Sequence, residues 1–291
     1  MKTEIFGMPL PELQTVLAEL GFKKFRARQI FDWLYQKCVF DFTQMSNLGK
    51  SERSLLQDTF SVLPAEIRII SKLDSADGLT SKVLLELPDG NAIETVLMHH
   101  DYGYSVCVSS QAGCDMHCAF CASGLNGAVR NLTAAEIVAQ VYLFNAQLQS
   151  LGERVSRVVV MGSGEPMLNF DAVFGALQFL HQPDVANIGY RNMTVSTCGI
   201  LPGIERMKAL GLPINLAVSL HAVQNELRTE LMPVNKGYPF PDVIAAAEDY
   251  ARSSGRQVTY EYILLADKND SDRDAIFLTT PMFFARKGSP P

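Results

Sequence analysis

The sequence predicts an α/β fold in which a parallel sheet, closed or partly closed into a barrel, follows a helical region and a β-hairpin. Apolar residues recur at helical spacing through the first 72 residues. Two strand-like runs then flank Pro88, Asp89 and Gly90 in "SKVLLELPDGNAIETVLM", as in a β-hairpin. From Tyr104 onward, strand-like runs alternate with helical segments, which is typical of a parallel sheet. We therefore divide the chain into residues 1–72, 73–103 and 104–272, followed by an atypical tail at 273–291.

Start and stop signals support the individual helices. The first candidate helix, "PLPELQTVLAEL", places Leu13 and Leu17 on one face and ends before Gly21, a residue type that favours a helix C-terminus. The segments "RARQIFDWLYQK" and "KSERSLLQDTF" follow across short polar joints. In the barrel region, Thr133 and Glu136 have the spacing of a capping box at the start of a long helix. These signals also locate the loops between helices and strands.

Four loops follow predicted strands of the barrel region. They contain the sequences "GCDMHCAFCASG", "GSGEP", "STCG" and "SLHA". Ligands of α/β folds bind at the carboxyl ends of parallel strands, where such loops meet. We therefore expect the four loops to converge on one site.

The composition narrows the protein class and the compartment. The 291 residues carry a net charge of −6 and are 47% hydrophobic, enough apolar material for a sizeable core. The N-terminus lacks an apolar stretch of signal-peptide length, and we expect no membrane span. We therefore expect a cytoplasmic protein, in which the six cysteines are thiols, metal ligands or catalysts rather than disulfides.

One basic segment, "FKKFRARQ", carries Lys23, Lys24, Arg26 and Arg28. Basic residues interleaved with aromatic ones are typical of a nucleic-acid contact, but they are also typical of a solvated helix entrance. Both interpretations stay open from the residues alone.

The loop at residues 113–124 places Cys114, Cys118 and Cys121 in the spacing C-x3-C-x2-C. Thiolates select zinc, copper(I) or iron–sulfur clusters. A zinc site would need His117 as its fourth ligand, and His117 directly precedes Cys118, an awkward spacing for two ligands of one ion. Three thiolates on a four-iron cluster would leave one iron open for a substrate. The spacing therefore favours a cluster over zinc.

The C-x3-C-x2-C motif, with Phe120 before its last cysteine, resembles that of the radical S-adenosylmethionine (SAM) superfamily. The resemblance implies a [4Fe-4S] cluster held by Cys114, Cys118 and Cys121, whose open iron binds SAM and whose electron generates a 5′-deoxyadenosyl radical. The segment "GSGEP" resembles the superfamily's GGEP-type segment. By the same resemblance, the cofactor-binding residues are Gly164, Glu165, Ser196, Ser219, Leu220 and His221.

A longer resemblance covers roughly residues 9–272. The segments "KKFRARQIFDWLY", "CVSSQAGCDMHCAFCASG", "VVVMGSGEPMLN", "MTVSTCGI" and "LAVSLHA" together resemble the family of dual-specificity RNA adenosine-C2 methyltransferases. The resemblance implies a partial, TIM-like (β/α) barrel of the radical SAM type. It also implies methylation of carbon 2 of adenosine in large-subunit rRNA and in tRNA, using two SAM molecules; related resistance methylases act on carbon 8.

The family resemblance also assigns partners and two catalytic residues. Cys107 occupies the place of the resolving cysteine and Glu94 that of the proton acceptor. Without the resemblance, Cys107 is a buried strand residue and Glu94 a solvent-facing one. The helical N-terminal domain is expected to hold the RNA, and the electron donor to be a flavodoxin or ferredoxin. A monomer is expected.

The resemblance stops near "LLADKNDSD", so we expect a barrel that is incomplete at its C-terminus. The family's last strand and the loop with its methyl-carrying cysteine have no counterpart in residues 273–291, and no cysteine follows Cys198. We expect Cys198 not to carry the methyl group. Three hypotheses follow: a methyltransferase, a remnant that binds cluster and RNA without turnover, and a zinc-stabilised module.

Overall fold

The computed structural model describes residues 2–279. Its N-terminal region is mainly helical, with one short parallel strand pair. The elements are β1 (Thr3–Glu4), α1 (Leu10–Glu19), α2 (Lys24–Tyr35), α3 (Lys50–Thr59), β2 (Phe60–Ser61) and α4 (Leu63–Glu66). Leu13 and Leu17 of α1 pack with Ile30 and Leu34 of α2, and all four side chains are buried. The predicted helical stripe of α1 is therefore the face that forms this core.

An eight-stranded sheet follows, in the order β12-β11-β10-β9-β6-β5-β4-β3. Its strands are β3 (Arg68–Asp74), β4 (Thr80–Glu86), β5 (Ala92–His100), β6 (Gly103–Val108), β9 (Val155–Val160), β10 (Met193–Thr197), β11 (Asn215–Ser219) and β12 (Val258–Glu261). Strands β6 and β9 to β12 are parallel, whereas β3 to β6 pair antiparallel. The sheet is thus a parallel half with an antiparallel extension.

Helices connect the parallel strands and cover one face of them. They are α5 (Ala134–Leu148), α6 (Phe170–His181), α7 (Leu201–Leu210), α8 (Asn225–Leu231) and α9 (Phe240–Ser254), with α10 (Asp272–Thr279) after β12. Val106, Val108, Val158 and Val160 are buried on the helix side of the sheet. Because side chains alternate along a strand, Cys107 points to the opposite side. We call that side of the parallel strands the open face.

The predicted hairpin is present as β4 and β5, which turn at Pro88, Asp89 and Gly90. A third strand, β3, pairs with β4 and begins at Arg68, within the range that the sequence assigned to the helical domain. All of its residues are exposed, and its sequence lacks the alternation of apolar and polar residues that predicts a strand. The domain boundaries at 72 and 103 stay predictions, and the tail at 280–291 lies outside the described residues.

The N-terminal helices pack directly on the barrel region. The Tyr35 ring of α2 contacts Tyr142 of α5 and Phe179 of α6, at centroid distances of 5.3 and 5.2 Å.

The predicted capping box of α5 is present, since Thr133 Oγ1 accepts the Glu136 N–H at 3.2 Å and Glu136 Oε2 accepts the Thr133 N–H at 2.8 Å. No helix within residues 2–279 is long and apolar enough to cross a membrane.

Candidate functional site

The cysteine loop leaves the carboxyl end of β6 and is closed at its base by two short strands. These strands, β7 (Gln111–Gly113) and β8 (Ala128–Asn131), pair antiparallel. Gly113 has φ +80°, and a Cβ at this position would lie 2.0 Å from the carbonyl oxygen of Gly127. Only glycine fits this close approach of two backbone segments. The base of the loop is therefore fixed by backbone sterics.

Backbone hydrogen bonds shape the loop around its three cysteines. The Cys121 N–H donates to the Cys118 carbonyl at 3.1 Å, and the Ala119 N–H donates to the Leu231 carbonyl of α8 at 2.8 Å. Phe120 packs edge-on against the His221 ring at 4.6 Å. The loop is thus attached to α8 through Ala119 and to the "SLHA" loop through Phe120.

The three thiols differ in burial but influence one another. Cys114 is buried, Cys118 half-buried and Cys121 exposed, and none forms a disulfide. Burial and, second, the charges of Cys114 and Cys121 raise the pKa of Cys118 to about 11. Within residues 2–279, no three Cys, His, Asp or Glu side chains are arranged to surround one metal ion.

The "GSGEP" segment lies against the cysteine loop. Gly164 has φ +103°, and a Cβ on it would lie 2.6 Å from the Gln111 side chain. The Glu165 N–H donates to Gln111 Oε1 at 2.8 Å, and the hydroxyls of Ser163 and Ser123 lie 3.2 Å apart. Gly164 also donates a backbone hydrogen bond to the Cys114 thiol. Two of the four predicted loops therefore meet here.

Glu165 is a buried carboxyl group that connects two loops. Its Oε1 accepts the Met167 N–H at 3.0 Å, and its Oε2 accepts the Cys198 N–H of the "STCG" loop at 2.8 Å. Burial raises the pKa of Glu165, although these hydrogen bonds oppose that effect. The side chains of Cys198 and Thr197 are further hydrogen-bond partners of this carboxyl group.

Cys198 is buried in contact with Glu165. Its thiol is buried and hydrogen-bonded to Glu165, and burial raises its pKa well above the ordinary value. A buried thiol of this kind is a poor nucleophile. The environment of Cys198 is consistent with the prediction that it does not carry the methyl group.

Ser196 and Ser219 end two neighbouring strands on the open face. The register pairs Ser196 with Ala217 and Ser219 with Glu261, and both serines are half-buried. Because Ser219 lies two residues after Ala217 on β11, the two hydroxyls point to the same side of the sheet. The structure thus brings both predicted serines to the carboxyl ends of parallel strands.

Leu220 and His221 are held differently. The Leu220 side chain packs in a small buried cluster with Val223, Phe240 and Ile244, so only its backbone is near the open face. His221 has φ 56°, and its Nδ1 accepts the Ile263 N–H at 3.1 Å. Burial and, second, the charge of Arg228 lower the pKa of His221 to about 4. His221 is therefore neutral at pH 7.

Glu94 and Cys107 lie on one face of neighbouring strands. Val96 of β5 pairs with Cys107 of β6, and Glu94 lies two residues from Val96, so both side chains point to the open face. Glu94 is exposed, and its Oε1 pairs with Lys82 Nζ at 2.8 Å. Burial raises the pKa of Cys107 to about 11.

Two residues of this region were missed by sequence reasoning. Glu261 ends β12 on the open face, and its charge raises the pKa of Cys107. Arg228 of α8 is fully buried beside the "STCG" and "SLHA" loops. The position of Glu261 at the end of a predicted strand could have indicated a site residue. Arg228 lies in a short helix, and nothing in the sequence of that helix predicts that the side chain is buried.

Comparisons with known proteins agree with this arrangement. Residues 108–279 match the family model of the radical SAM superfamily. Residues 3–62 match the model described as the ribosomal RNA large subunit methyltransferase N-terminal domain. The first match covers the cysteine loop and strands β9 to β12, and the second covers most of the helical N-terminal region. The predicted family resemblance is confirmed.

Several curated relatives match nearly the whole chain. Proteins named probable dual-specificity RNA methyltransferase RlmN from Spiroplasma citri and Geobacillus kaustophilus are 46% and 49% identical over 276 and 266 residues. These matches cover 95% and 91% of this chain and 79% and 72% of the relatives. The crystal structure of a radical SAM methyltransferase from Sphaerobacter thermophilus superposes with a TM-score of 0.89 at 40% identity, covering 94% of this chain and 80% of that one. The chain has a radical SAM fold and belongs to the family of RlmN-type radical SAM RNA methyltransferases.

Proposed function

We propose that this chain belongs to the enzymes that methylate carbon 2 of adenosine in large-subunit rRNA and in tRNA, with a [4Fe-4S] cluster and two SAM molecules. The cysteine that carries the methyl group in that family has no counterpart after Cys198 in residues 1–291, so methyl transfer is tested separately from radical formation. The observation that carries the proposal is the convergence of the cysteine loop with the "GSGEP", "STCG" and "SLHA" loops at one end of the sheet. Ligand sites of α/β folds form at this end of parallel strands. Relatives at 46% to 49% identity bear the name dual-specificity RNA methyltransferase RlmN, which supports the RNA substrates.

Cys114, Cys118 and Cys121 would hold the cluster. The donor set fits, because all three are free thiols of one loop and thiolates are the ligands of iron–sulfur clusters. When bound, the cluster supplies the electron for the reductive cleavage of SAM, which produces the 5′-deoxyadenosyl radical.

The surrounding loops would hold SAM. Gly164 lets the backbone approach a ligand closely, and the Glu165 carboxylate would meet the methionine ammonium group, as the family resemblance implies. Ser196 and Ser219 offer hydroxyls for ribose or carboxylate oxygens. The neutral His221 ring and the Leu220 backbone form the adjoining wall. These roles are the ones that the family resemblance implies.

Cys107 and Glu94 would act on the RNA base from the open face. By the family resemblance, the Cys107 sulfur would bond to the sulfur of the methyl-carrying cysteine and so release the methylated base from it; Cys107 is protonated at pH 7, so its thiol must first lose its proton. Glu94 lies on the same face and has a carboxylate exposed to solvent, which suits the proposed proton acceptor. A flavodoxin or ferredoxin would donate the electron, and a monomer would suffice because every proposed residue comes from one chain.

The proposal is tested by reconstituting the chain without oxygen and measuring iron, sulfide and zinc, then SAM cleavage and RNA methylation. We expect about four irons and four sulfides per chain, formation of 5′-deoxyadenosine, and 2-methyladenosine in RNA nucleosides analysed by mass spectrometry. The matched control replaces Cys118 with serine, which should abolish all three signals. Zinc without sulfide in the wild-type protein would contradict the proposal and favour a zinc-stabilised module.

The same samples separate turnover from binding alone. Labelled methyl groups from SAM are located by peptide mass spectrometry. A methylated Cys198 would contradict the assignment of this thiol to the pocket wall. Formation of 5′-deoxyadenosine without 2-methyladenosine would favour a chain that binds cluster and RNA but does not complete methyl transfer, and 8-methyladenosine would contradict the carbon-2 assignment.

A further inference from the structure

Arg228 is a charged side chain buried in the interior beside the site. It lies in α8, and its side chain is fully excluded from solvent. An arginine keeps its charge at every pH at which proteins fold. Burying such a charge strongly destabilises the fold unless other groups compensate it.

The hydrogen bonds of Arg228 all go to neutral acceptors. Its Nε donates to the Leu220 carbonyl at 3.0 Å, and its Nη2 donates to the carbonyls of Cys198 at 2.8 Å and Ser219 at 3.0 Å. Its Nη1 donates to Asn235 Oδ1 at 2.8 Å. These bonds satisfy the donors and connect the "STCG" and "SLHA" loops, but they do not neutralise the charge.

Arg228 forms no ion pair with a carboxylate in the part of the chain that the structure describes. Arg130 shows the contrast, because it is less buried and yet pairs with both Glu136, at 2.8 Å, and Asp89, at 2.6 Å. An uncompensated buried charge is strongly destabilising, so proteins usually supply a partner. A negatively charged group bound at the neighbouring site would compensate this charge.

The neighbouring site is where that negative charge would lie. One turn after Arg228, the Leu231 carbonyl holds Ala119, the residue that follows Cys118 in the cysteine loop. The charges of Arg228 and Cys118 are close enough to interact. Three thiolates and an iron–sulfur cluster together carry a net negative charge, which increases when the cluster accepts an electron.

We propose that Arg228 is the buried counter-charge of the iron–sulfur cluster and that it makes the cluster easier to reduce. The inference rests on the proposed function, because it needs the cluster in the cysteine loop. A fixed positive charge stabilises the reduced, more negative state over the oxidised one. Arg228 is thus a positioning residue with an electrostatic role: it connects two cofactor loops and favours electron uptake.

The test is a redox titration of the reconstituted full chain without SAM, followed by electron paramagnetic resonance. Arg228→Gln removes the charge and should lower the ratio of reduced to oxidised cluster at least tenfold at a fixed potential, which is about 59 mV for one electron. Arg228→Lys keeps the charge and should stay close to wild type. Arg256→Gln is the control, because Arg256 bonds Asn215 at the amino end of β11, away from the cysteine loop.

A second variant covers the case in which Arg228→Gln fails to fold or to hold iron. Asn235→Asp places a carboxylate on Arg228 Nη1, which neutralises the charge without removing the arginine. It should shift the potential in the same direction as Arg228→Gln. A wild-type potential in Asn235→Asp, or in Arg228→Gln where that variant folds and holds iron, or an equal shift in Arg256→Gln, would overturn the inference. A wild-type protein without iron and sulfide would instead overturn the proposed function.

Discussion

His221 is a buried histidine whose ionisation links stability to pH. Its pKa is lowered to about 4 in the folded chain, against an ordinary value of 6.5, mainly by burial. Between these pH values the unfolded chain binds a proton that the folded chain does not, so this contribution is complete above pH 6.5 and is lost as the pH falls towards 4.

We therefore predict that His221→Gln makes the free energy of unfolding less dependent on pH below pH 7. The free energy of unfolding of the cluster-free protein should fall between pH 7 and pH 4.5 by about 1–2 kcal/mol more in the wild type than in the variant. Urea unfolding at the two pH values measures this difference. His181→Gln, at the partly exposed histidine that ends α6, is the control and should behave like the wild type.

Cys107 is a thiol whose reactivity should be limited by its protonation. With a pKa of about 11, roughly one Cys107 in a thousand is a thiolate at pH 8. In cluster-free protein we predict that iodoacetamide alkylates the exposed Cys121 long before Cys107, and that the Cys107 rate rises up to pH 11. Peptide mass spectrometry measures both rates, and equal rates at pH 8 would contradict the prediction.

At the scale of elements, the tip of the β4–β5 hairpin is attached to the start of α5. Arg130 of β8 donates two hydrogen bonds to Glu136, both at 2.8 Å, and one to Asp89 in the hairpin turn, at 2.6 Å. Arg130 also lowers the pKa of Asp89. Because β8 closes the cysteine loop, this contact connects the antiparallel extension to the base of the candidate cluster site.

We predict that Arg130→Met lowers the free energy of unfolding by about 2 kcal/mol, because the mostly buried Glu136 loses its cation. Arg68→Met removes an exposed ion pair with Glu86 and serves as the matched control, with an expected loss below about 0.5 kcal/mol. Urea unfolding of the two variants measures both values. Equal losses would mean that the network stabilises no more than a surface pair does.

At the scale of the whole molecule, the proposed RNA contact depends on charges that remain available. Arg28 pairs with Asp32 at 2.8 Å and with Asp184 at 2.9 Å, and Arg26 pairs with Glu52 at 2.9 Å. The arginines of the basic segment therefore connect elements of the protein. Lys23 and Lys24 are exposed at the start of α2 and are better placed to meet phosphates.

We predict that Lys24→Gln weakens RNA binding and lowers the slope of log affinity against log salt by about 1, the effect of losing one phosphate contact. Arg28→Gln changes the net charge equally but removes a side chain already paired within the protein, so its slope should stay at the wild-type value. Filter binding at several salt concentrations measures the slopes. A larger loss in Arg28→Gln would contradict this division of roles.

The sequence by itself determined the local features of this protein. The capping box at Thr133, the hairpin turn at Pro88 to Gly90 and the C-x3-C-x2-C loop act over a few residues, so spacing alone predicts them. The alternation of strands and helices predicted a parallel sheet with its loops at one end. The family resemblance and the radical SAM fold rest on the same short motifs.

Only the tertiary structure decided which side chains face each other. It pairs the arginines of the basic segment with carboxylates, directs Leu220 into a hydrophobic cluster, adds β3 to the hairpin, and buries Arg228 beside the cysteine loop. Each of these outcomes depends on contacts between residues far apart in the chain. The energy of a charge or a thiol is set by its burial and its neighbours, and neither is encoded in the few residues around it.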